Sequence, residues 1–294
     1  MKRDKYKAMF IWPSFRIGDQ AALALASILQ AHPVSAFFLF NNDISDTGAE
    51  ALAKAAFHND FITMFCLDSN KITDAGAKAV AEAARNNPSL TTFYISSLAI
   101  SDSGAKTVAN AVRGCPLSAF GLTSDKISDA GAIAMGEMIS SCAETLCAFF
   151  LGSSKISAAG AKKVADMISK SCRMMTEFYL GSEPLSGEAL AYIFETMAGI
   201  SSIRNVNICI GGDVSKELMD SCLTKMQQSE AGKLLKLRIS CEGDNAKNVC
   251  GKCITEWNGK FAEFQIVDHI GNIFIKEAIL GDDIPLSKWR CSIF

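Results

Sequence analysis

Apolar and polar positions follow two patterns that alternate along the chain. One is a short run with apolar residues at its first, fourth and sixth positions, as in Ile62, Phe65 and Leu67. Because strand side chains alternate between the faces of a sheet, the fourth and sixth residues share one face. The other is a longer run over residues such as 105–112, with apolar positions at i, i+3, i+4 and i+7. That spacing is typical of one side of a helix, so the sequence predicts alternating strands and helices.

The helical run opens with a motif that recurs along the chain. It reads I-S-D-T-G-A-E-A-L-A from Ile44, I-T-D-A-G-A-K-A-V-A from Ile72 and I-S-D-S-G-A-K-T-V-A from Ile100. Related copies begin at Ile17, Ile127, Ile156, Leu185 and Val214. Successive copies begin 27 to 29 residues apart over eight units. A unit of one strand and one helix cannot bury its apolar side alone, so the units are expected to stack.

The fourth strand position is the most regular one in the repeat. It is occupied by Phe10, Phe37, Phe65, Phe93, Phe120, Phe149 and Phe178, and then by Val206 and Leu237. Stacking predicts a continuous column of these rings in a sheet of nine parallel strands. Ser or Asp just before Gly48, Gly76, Gly104 and Gly131 is expected to cap the helix that begins there. The repeated glycines are expected to allow close approach of helix and sheet.

These motifs resemble the ribonuclease-inhibitor-like leucine-rich repeats, the subclass with a full helix per unit that is found in ribonuclease inhibitor, NOD-like receptor sensor regions and Ran GTPase-activating proteins. The resemblance covers roughly four fifths of the chain. It implies an α/β solenoid, curved, with parallel strands on the concave face and helices on the convex face. We expect residues 1–243 to form the solenoid and residues 244–294 a C-terminal cap and tail.

One position departs from this family's pattern. The asparagine three residues after the strand is present at Asn42 and Asn70. Later units have Leu98, Asp125, Ser154 and Glu183 at this place. The side-chain hydrogen-bond ladder of that turn is therefore predicted to be broken in the middle of the array.

The strand residues that alternate with the core positions are the candidate partner contacts. They carry aromatic and apolar groups with few charges, and exposed apolar surface usually marks an interaction site. The predicted contacts are Phe38, Phe40, Met64, Asp68, Tyr94, Phe150, Glu177 and Tyr179. Two other interpretations stay open: these side chains cover their neighbours on the sheet, or the C-terminal segment folds over them.

Composition favours a protein partner and a cytoplasmic location. The net charge of −2 comes from 29 basic and 31 acidic residues that are well mixed, which argues against a nucleic-acid partner. The apolar bursts are too short to span a bilayer. The apolar segment after the basic start ends at Pro13, so no secretory signal is expected. The 11 cysteines then fit reduced, buried thiols rather than a disulfide framework.

No set of residues with catalytic spacing is found, and we expect a binding protein with no cofactor or metal rather than an enzyme. His32, His58 and His269 lie in unrelated contexts, and no phosphate-binding or zinc-protease motif is present. The alternative is a GTPase activator, because one branch of the resembled family has that activity. Arg16, in the loop after the first strand, is its only candidate residue.

The C-terminal segment differs from the repeats. Residues 261–267 and 273–279 are predicted to form a hairpin that covers the last strand's open edge. Cys250 and Cys253, with Cys241 nearby, provide half of a zinc site and are interpreted as free thiols. Residues 291–294 match a prenylation box, so a lipid on Cys291 would add peripheral membrane association.

Overall fold

The computed structural model describes residues 9–13, 16–32, 34–40, 42–58, 61–68, 71–85, 87–210, 214–230, 236–241 and 263–267. The account below concerns these residues. The second strand of the expected hairpin, the Cys250 and Cys253 pair and Cys291 lie outside them and stay predictions.

Strands and helices alternate along the described chain, as the two sequence patterns predict. The strands are β1 (Met9–Pro13), β2 (Ala36–Phe40), β3 (Met64–Asp68), β4 (Thr92–Ser96), β5 (Ala119–Thr123), β6 (Ala148–Gly152), β7 (Glu177–Leu185), β8 (Asn205–Ile210), β9 (Lys236–Cys241) and β10 (Glu263–Val267). The helices are α1 (Asp19–Ala31), α2 (Asp46–Ala56), α3 (Asp74–Ala84), α4 (Asp102–Val112), α5 (Asp129–Ile139), α6 (Ala158–Ser171), α7 (Gly187–Ala198) and α8 (Lys216–Gln228).

The ten strands of the described chain form one sheet in sequence order. Every neighbouring pair is parallel, and equivalent residues face each other, as Phe65 does Phe93. The prediction of nine strands is wrong by one. Residues 263–267 were expected to start a hairpin, but they pair in parallel with β9 and extend the sheet. The open edge of β9 is thus covered by continuation of the same array.

The helices pack on one face of this sheet and form the main core with it. The apolar helix positions predicted from the sequence are buried; Leu52, Val80 and Val108 are each 0% exposed. In the last two units larger side chains, such as Phe194 and Leu223, fill the same layer. The change from alanine to large residues thus keeps the core filled to the end of the helical array.

The predicted column of phenylalanines is confirmed from Phe37 to Phe149. Ring centroids of Phe37 and Phe65 lie 5.6 Å apart, and those of Phe93 and Phe120 lie 6.1 Å apart, in stacked arrangements. The intermediate and following pairs have similar spacings of 6.3 and 6.2 Å. Neighbouring strands in a sheet lie about 4.8 Å apart, so each strand places one ring within contact distance of the next ring. The rings therefore form a continuous layer between the sheet and the helices.

The aspartate that opens each of the helices α1 to α5 joins its own repeat to the next. Asp102 accepts hydrogen bonds from the Ser128 amide (2.7 Å), the Ser128 hydroxyl (2.6 Å) and the Gly131 amide (2.9 Å). The same contact joins Asp19 to Ser45, Asp46 to Thr73, Asp74 to Ser101 and Asp129 to Ser157. The serine or threonine also caps its own helix from α3 to α6, which confirms the capping prediction for Ser101 and Ser128. The prediction is wrong for α2, because Ser45 makes no side-chain cap hydrogen bond to its own helix.

These carboxylates explain the repeated glycines better than the predicted approach of helix to sheet. A Cβ atom at Gly131 would lie 2.5 Å from Oδ1 of Asp102, and one at Gly160 would overlap Oδ1 of Asp129. Glycine therefore makes room for the aspartate of the preceding helix. In α1, the matching position is occupied by Ala21.

The turn after each strand keeps a side-chain hydrogen bond in the middle of the array, contrary to the prediction. Asn42 accepts from the Ile17 amide (3.0 Å) in the first turn. In later turns the hydrogen bond comes from the residue that precedes the asparagine position. The hydroxyls of Ser97, Ser124 and Ser153 each donate to a main-chain carbonyl of the preceding repeat at 2.6 Å. The ladder is therefore continued by serine.

Candidate functional site

The face of the sheet opposite the helices carries the predicted partner contacts. We call it the open face, and define it by the strand residues that alternate with the core positions. Its described side chains include Ala36, Phe38, Phe40, Met64, Cys66, Asp68, Thr92, Tyr94, Ala119, Ala148, Phe150, Glu177, Tyr179, Asn205, Asn207 and Lys236. Parallel pairing in register places equivalent residues side by side, as it does Phe150 and Tyr179.

The structure brings most of the predicted contacts together but does not expose them. Phe38, Tyr94, Phe150 and Tyr179 belong to one apolar cluster and are 1–7% exposed. The expectation of an exposed aromatic surface is therefore wrong for these four residues. Asp68 is also buried.

Three of the predicted contacts keep part of their surface accessible. Phe40 and Met64 are half-buried and pack against the edge of the cluster. Glu177, on β7, is also half-buried. The accessible part of the predicted site thus lies at its two ends, on β2 and β3 and on β7.

The aromatic side chains cover one another and the glycines beside them. Tyr94 lies across Gly121, where a Cβ atom would overlap the tyrosine ring, and its hydroxyl is 3.2 Å from that of Thr123. A Cβ atom at Gly181 would lie 3.1 Å from the Tyr179 hydroxyl. This packing agrees with the interpretation that large residues cover their neighbours. The glycines at open-face positions were the sequence signal for it.

Burial also changes the acid–base properties of this face. The pKa of Tyr94 is raised well above its ordinary value, first by burial and then by the nearby negative charge of Asp68. The same two causes, in the same order, raise the pKa of the Cys66 thiol. Both groups are therefore neutral at physiological pH.

The chemical character of the face changes between β7 and β8. The fifth strand position is apolar from Phe38 to Tyr179 except for Gly121, and it becomes Asn207 on β8. Beside it, Glu177, Asn205 and Lys236 lie in register on three neighbouring strands. Sequence reasoning did not select Asn207, although the end of the aromatic run marks its position.

The described cysteines and acidic residues offer no other site. Cys66, Cys115, Cys142, Cys172 and Cys222 are buried free thiols, as predicted, and Cys147 is a half-buried one. In the described chain, no group of histidine, cysteine and acidic side chains has a metal-binding arrangement. No helix there has the length and hydrophobicity needed to span a bilayer.

Comparison with known proteins identifies the repeat. A family model described as Leucine Rich repeat matches residues 39–53 and 66–81. Each match runs from the end of a strand, through the following turn, into the next helix, which is the part of the unit where the sequence motif is strongest. No curated protein matches the chain.

Proposed function

Because this chain is a leucine-rich repeat protein, we propose that it is an interaction module that binds a protein partner on the open face of its sheet. Leucine-rich repeat domains typically serve as protein-interaction modules. We also assign its units to the ribonuclease-inhibitor-like subclass, since helices α2 to α5 each have eleven residues. A curved solenoid with the strands on its concave side follows from that assignment.

One observation carries the proposal: ten parallel strands present a continuous face on which helices α1 to α8 do not pack. Its middle is closely packed, because buried aromatic side chains cover it. Among its described side chains only Asp68, Glu177 and Lys236 are charged. A broad face with few charges among its described side chains favours a protein partner over nucleic acid.

The partner's contacts are expected to begin at the accessible side chains, Phe40 and Met64. The test is quantitative affinity capture with the full chain and with the double variant Phe40→Ala/Met64→Ala. Because both side chains are half-buried, removal of their contact area should reduce capture about tenfold without unfolding the protein. The matched control is Leu98→Ala, which removes an apolar side chain that is 72% exposed and lies outside the open face.

Capture equal to wild type by the double variant, with folding verified by circular dichroism, would show that the partner binds elsewhere. Loss of capture by Leu98→Ala alone would move the site to the turns between strands and helices.

The second candidate is a GTPase activator, and one observation favours it. Arg16 is exposed and has a backbone φ of 50°, the only positive φ among the described non-glycine residues. Residues in this strained region are found at functional sites. A GTP-hydrolysis assay with a panel of small GTPases separates the two functions. We expect no acceleration; acceleration that Arg16→Ala abolishes would establish the alternative.

We further propose that Cys291 is prenylated and that the protein is a cytoplasmic one with peripheral membrane association. The support is the terminal sequence C-S-I-F alone. In a eukaryotic host the intact mass should include a prenyl group, and Cys291→Ser should shift the protein from membranes to the soluble fraction. An unmodified intact mass contradicts the proposal.

A further inference from the structure

The first helix of the array exposes an apolar side. Ile28 on α1 is 53% exposed, and Ala21 and Ala24 are also exposed. These three residues are three and four positions apart, so they lie along one side of the helix. The only charged residue of α1 is Asp19, whose carboxylate bonds to the next repeat. We call Ala21, Ala24 and Ile28 the end face of α1; it is accessible and carries no charge.

The end face occupies the side that every later helix turns toward the helix before it. On α2, the residues equivalent to Ala21 and Ile28 are buried. On α6, the residue equivalent to Ile28 is Met167, which packs against Gly136 of the preceding helix. Ile28 therefore points beyond the first repeat, over the end of the helical layer.

The sheet ends at the same place. β1 is the first strand in the sheet order, and no strand of the described chain pairs with its outer edge. An open strand edge readily pairs with another strand. The array thus ends in two matched parts, an uncharged helix side and a strand edge, which both continue the contacts that join one repeat to the next.

This end does not fit another repeat of the same kind. Between later repeats, an aspartate of the preceding helix occupies the space beside the motif glycine; a Cβ atom at Gly48 would lie 2.6 Å from Oδ1 of Asp19. In α1, Ala21 stands in place of that glycine and Gly18 in place of the bonded serine or threonine. The Cβ atom of Ala21 would thus obstruct a preceding aspartate. A helix that runs in the opposite direction brings no aspartate to this position.

A second copy of this chain offers what the end requires. Of the described elements, only α1 and β1 together provide a free uncharged helix side next to a free strand edge. A two-fold axis perpendicular to the sheet makes both pairs antiparallel and keeps the helices of both copies on one side. Ile28 of each copy then packs against Ala21 and Ala24 of the other. These small residues let the helices approach to about 8–10 Å, and no charge is buried.

We propose that the protein forms a two-fold symmetric dimer through the end face of α1 and the outer edge of β1. One strand of five residues and one side of a thirteen-residue helix make a small interface. The dimer is therefore weak, with a dissociation constant of about 10–100 µM. The inference does not depend on the proposed function, because the open face stays free in both copies.

The test is sedimentation equilibrium of the full chain in reducing buffer, from about 1 to about 500 µM. The mass of wild type should rise from one chain to two. Ile28→Glu places a carboxylate in the contact and should weaken dimerisation at least about tenfold. The matched control is Leu98→Glu, which makes the same change at a side chain that is 72% exposed and lies outside the end face; it should dimerise as wild type does.

A mixing experiment tests the direction of the helices. Ala24→Lys alone should also weaken dimerisation. Antiparallel packing places residue 24 of one copy near residue 28 of the other, so a mixture of Ile28→Glu and Ala24→Lys chains should dimerise more tightly than either variant by itself. Both variants should melt within about 2 °C of wild type, because the replaced side chains are exposed in the monomer.

The proposal is overturned if wild type keeps the mass of one chain at all concentrations, or if Ile28→Glu dimerises as tightly as wild type. Growth beyond two chains would show head-to-tail assembly, and no gain on mixing would rule out antiparallel packing. If wild type is monomeric and Ile28→Glu loses capture of a different protein, the end face binds that protein and not a second copy.

Discussion

At the scale of single residues, one carboxylate in each of the first five helices serves two repeats. Asp102 opens α4 and at the same time holds the start of α5 through Ser128 and Gly131. The free amides of a helix start favour a negative charge. At the first of these contacts, burial opposes ionisation of Asp19, but hydrogen bonds from Ser45 and Gly48 outweigh it and lower its pKa. The Asp19 carboxylate is therefore stabilised in its charged form by the next repeat.

Replacement of Asp102 by alanine should remove three hydrogen bonds between α4 and α5. We expect the free energy of unfolding to fall by about 2 kcal/mol, because the charge-assisted bonds and the helix-start interaction are lost together. Urea denaturation followed by circular dichroism measures this. Asp125→Ala is the control, since this carboxylate is exposed and makes no such contact. Equal effects of the two variants would contradict an inter-repeat role for Asp102.

The glycine of the motif should respond to alanine in the opposite way from an ordinary helical glycine. Alanine in a helix interior is usually better than glycine by about 1 kcal/mol. At Gly160, however, a Cβ atom would lie 2.6 Å from Cγ of Asp129. Gly160→Ala should therefore destabilise the protein by about 1–3 kcal/mol. In an Asp129→Ala background the same change should cost less, because only the contact with the Cβ atom of residue 129, at 3.1 Å, remains. Additivity in this double-mutant cycle would refute the explanation.

At the scale of elements, each strand separates two different packed layers. Phe120 on β5 contributes to the column against the helices, and its neighbour Gly121 accommodates the Tyr94 ring on the open face. The strand is thus buried on both sides in the middle of the array. This explains why the apolar residues of the strands form near-continuous runs, as in other sheets buried on both faces.

Phe120→Ala should be among the most destabilising single changes in the chain. The side chain is 0% exposed and stacks between Phe93 and Phe149, so its loss leaves a cavity that neighbouring strands cannot close. We expect a loss of about 3–5 kcal/mol in the free energy of unfolding. Phe61→Ala, which removes a ring that is 55% exposed, should change it by less than about 0.5 kcal/mol. Comparable losses in chemical denaturation would show that the column is not a packed core.

At the scale of the whole molecule, the chain is a linear stack in which each unit contacts mainly its neighbours. Helix packs on the following helix and strand pairs with the following strand from one end of the described array to the other. Stability is then shared between neighbouring interfaces. Buried thiols in different repeats should therefore each contribute to the pH dependence of the free energy of unfolding.

We expect the buried thiols to make the protein less stable at alkaline pH. Burial raises the pKa of Cys172 to about 12 and that of Cys222 to about 11, from an ordinary value of 9.0. The unfolded chain therefore loses these protons first. Deprotonation of the unfolded chain favours unfolding, so the contribution of these thiols to stability is fully present below pH 9 and is lost as pH rises through the folded pKa values.

The measurement is urea unfolding in reducing buffer at about pH 8 and about pH 10.5. The fall in unfolding free energy between the two should be smaller in Cys172→Ala/Cys222→Ala than in wild type. If the double variant loses as much stability as wild type, the thiols do not carry the pH dependence.

The sequence by itself determined the period, the order of elements, the core face of each strand and helix, and the phenylalanine column. These depend on spacing within one unit, and repetition of the unit leaves stacking as the way to bury its apolar side. It also placed Phe38, Tyr94, Phe150 and Tyr179 on a common face, where the structure does bring them together.

Only the tertiary structure decided which residues of different repeats are in contact. The partners of Asp102, Gly160 and Ser124 lie 24 to 31 residues away, and spacing within a unit cannot select one contact among many at that distance. The tertiary structure also decided how exposed each side chain is. The sequence pattern shows which face of the sheet a side chain points to, but it does not show what covers that face. Tyr94 is buried by its neighbours, whereas Nδ2 of Asn207 has no acceptor. Both results depend on side chains that come from different repeats, which the spacing within one repeat does not specify.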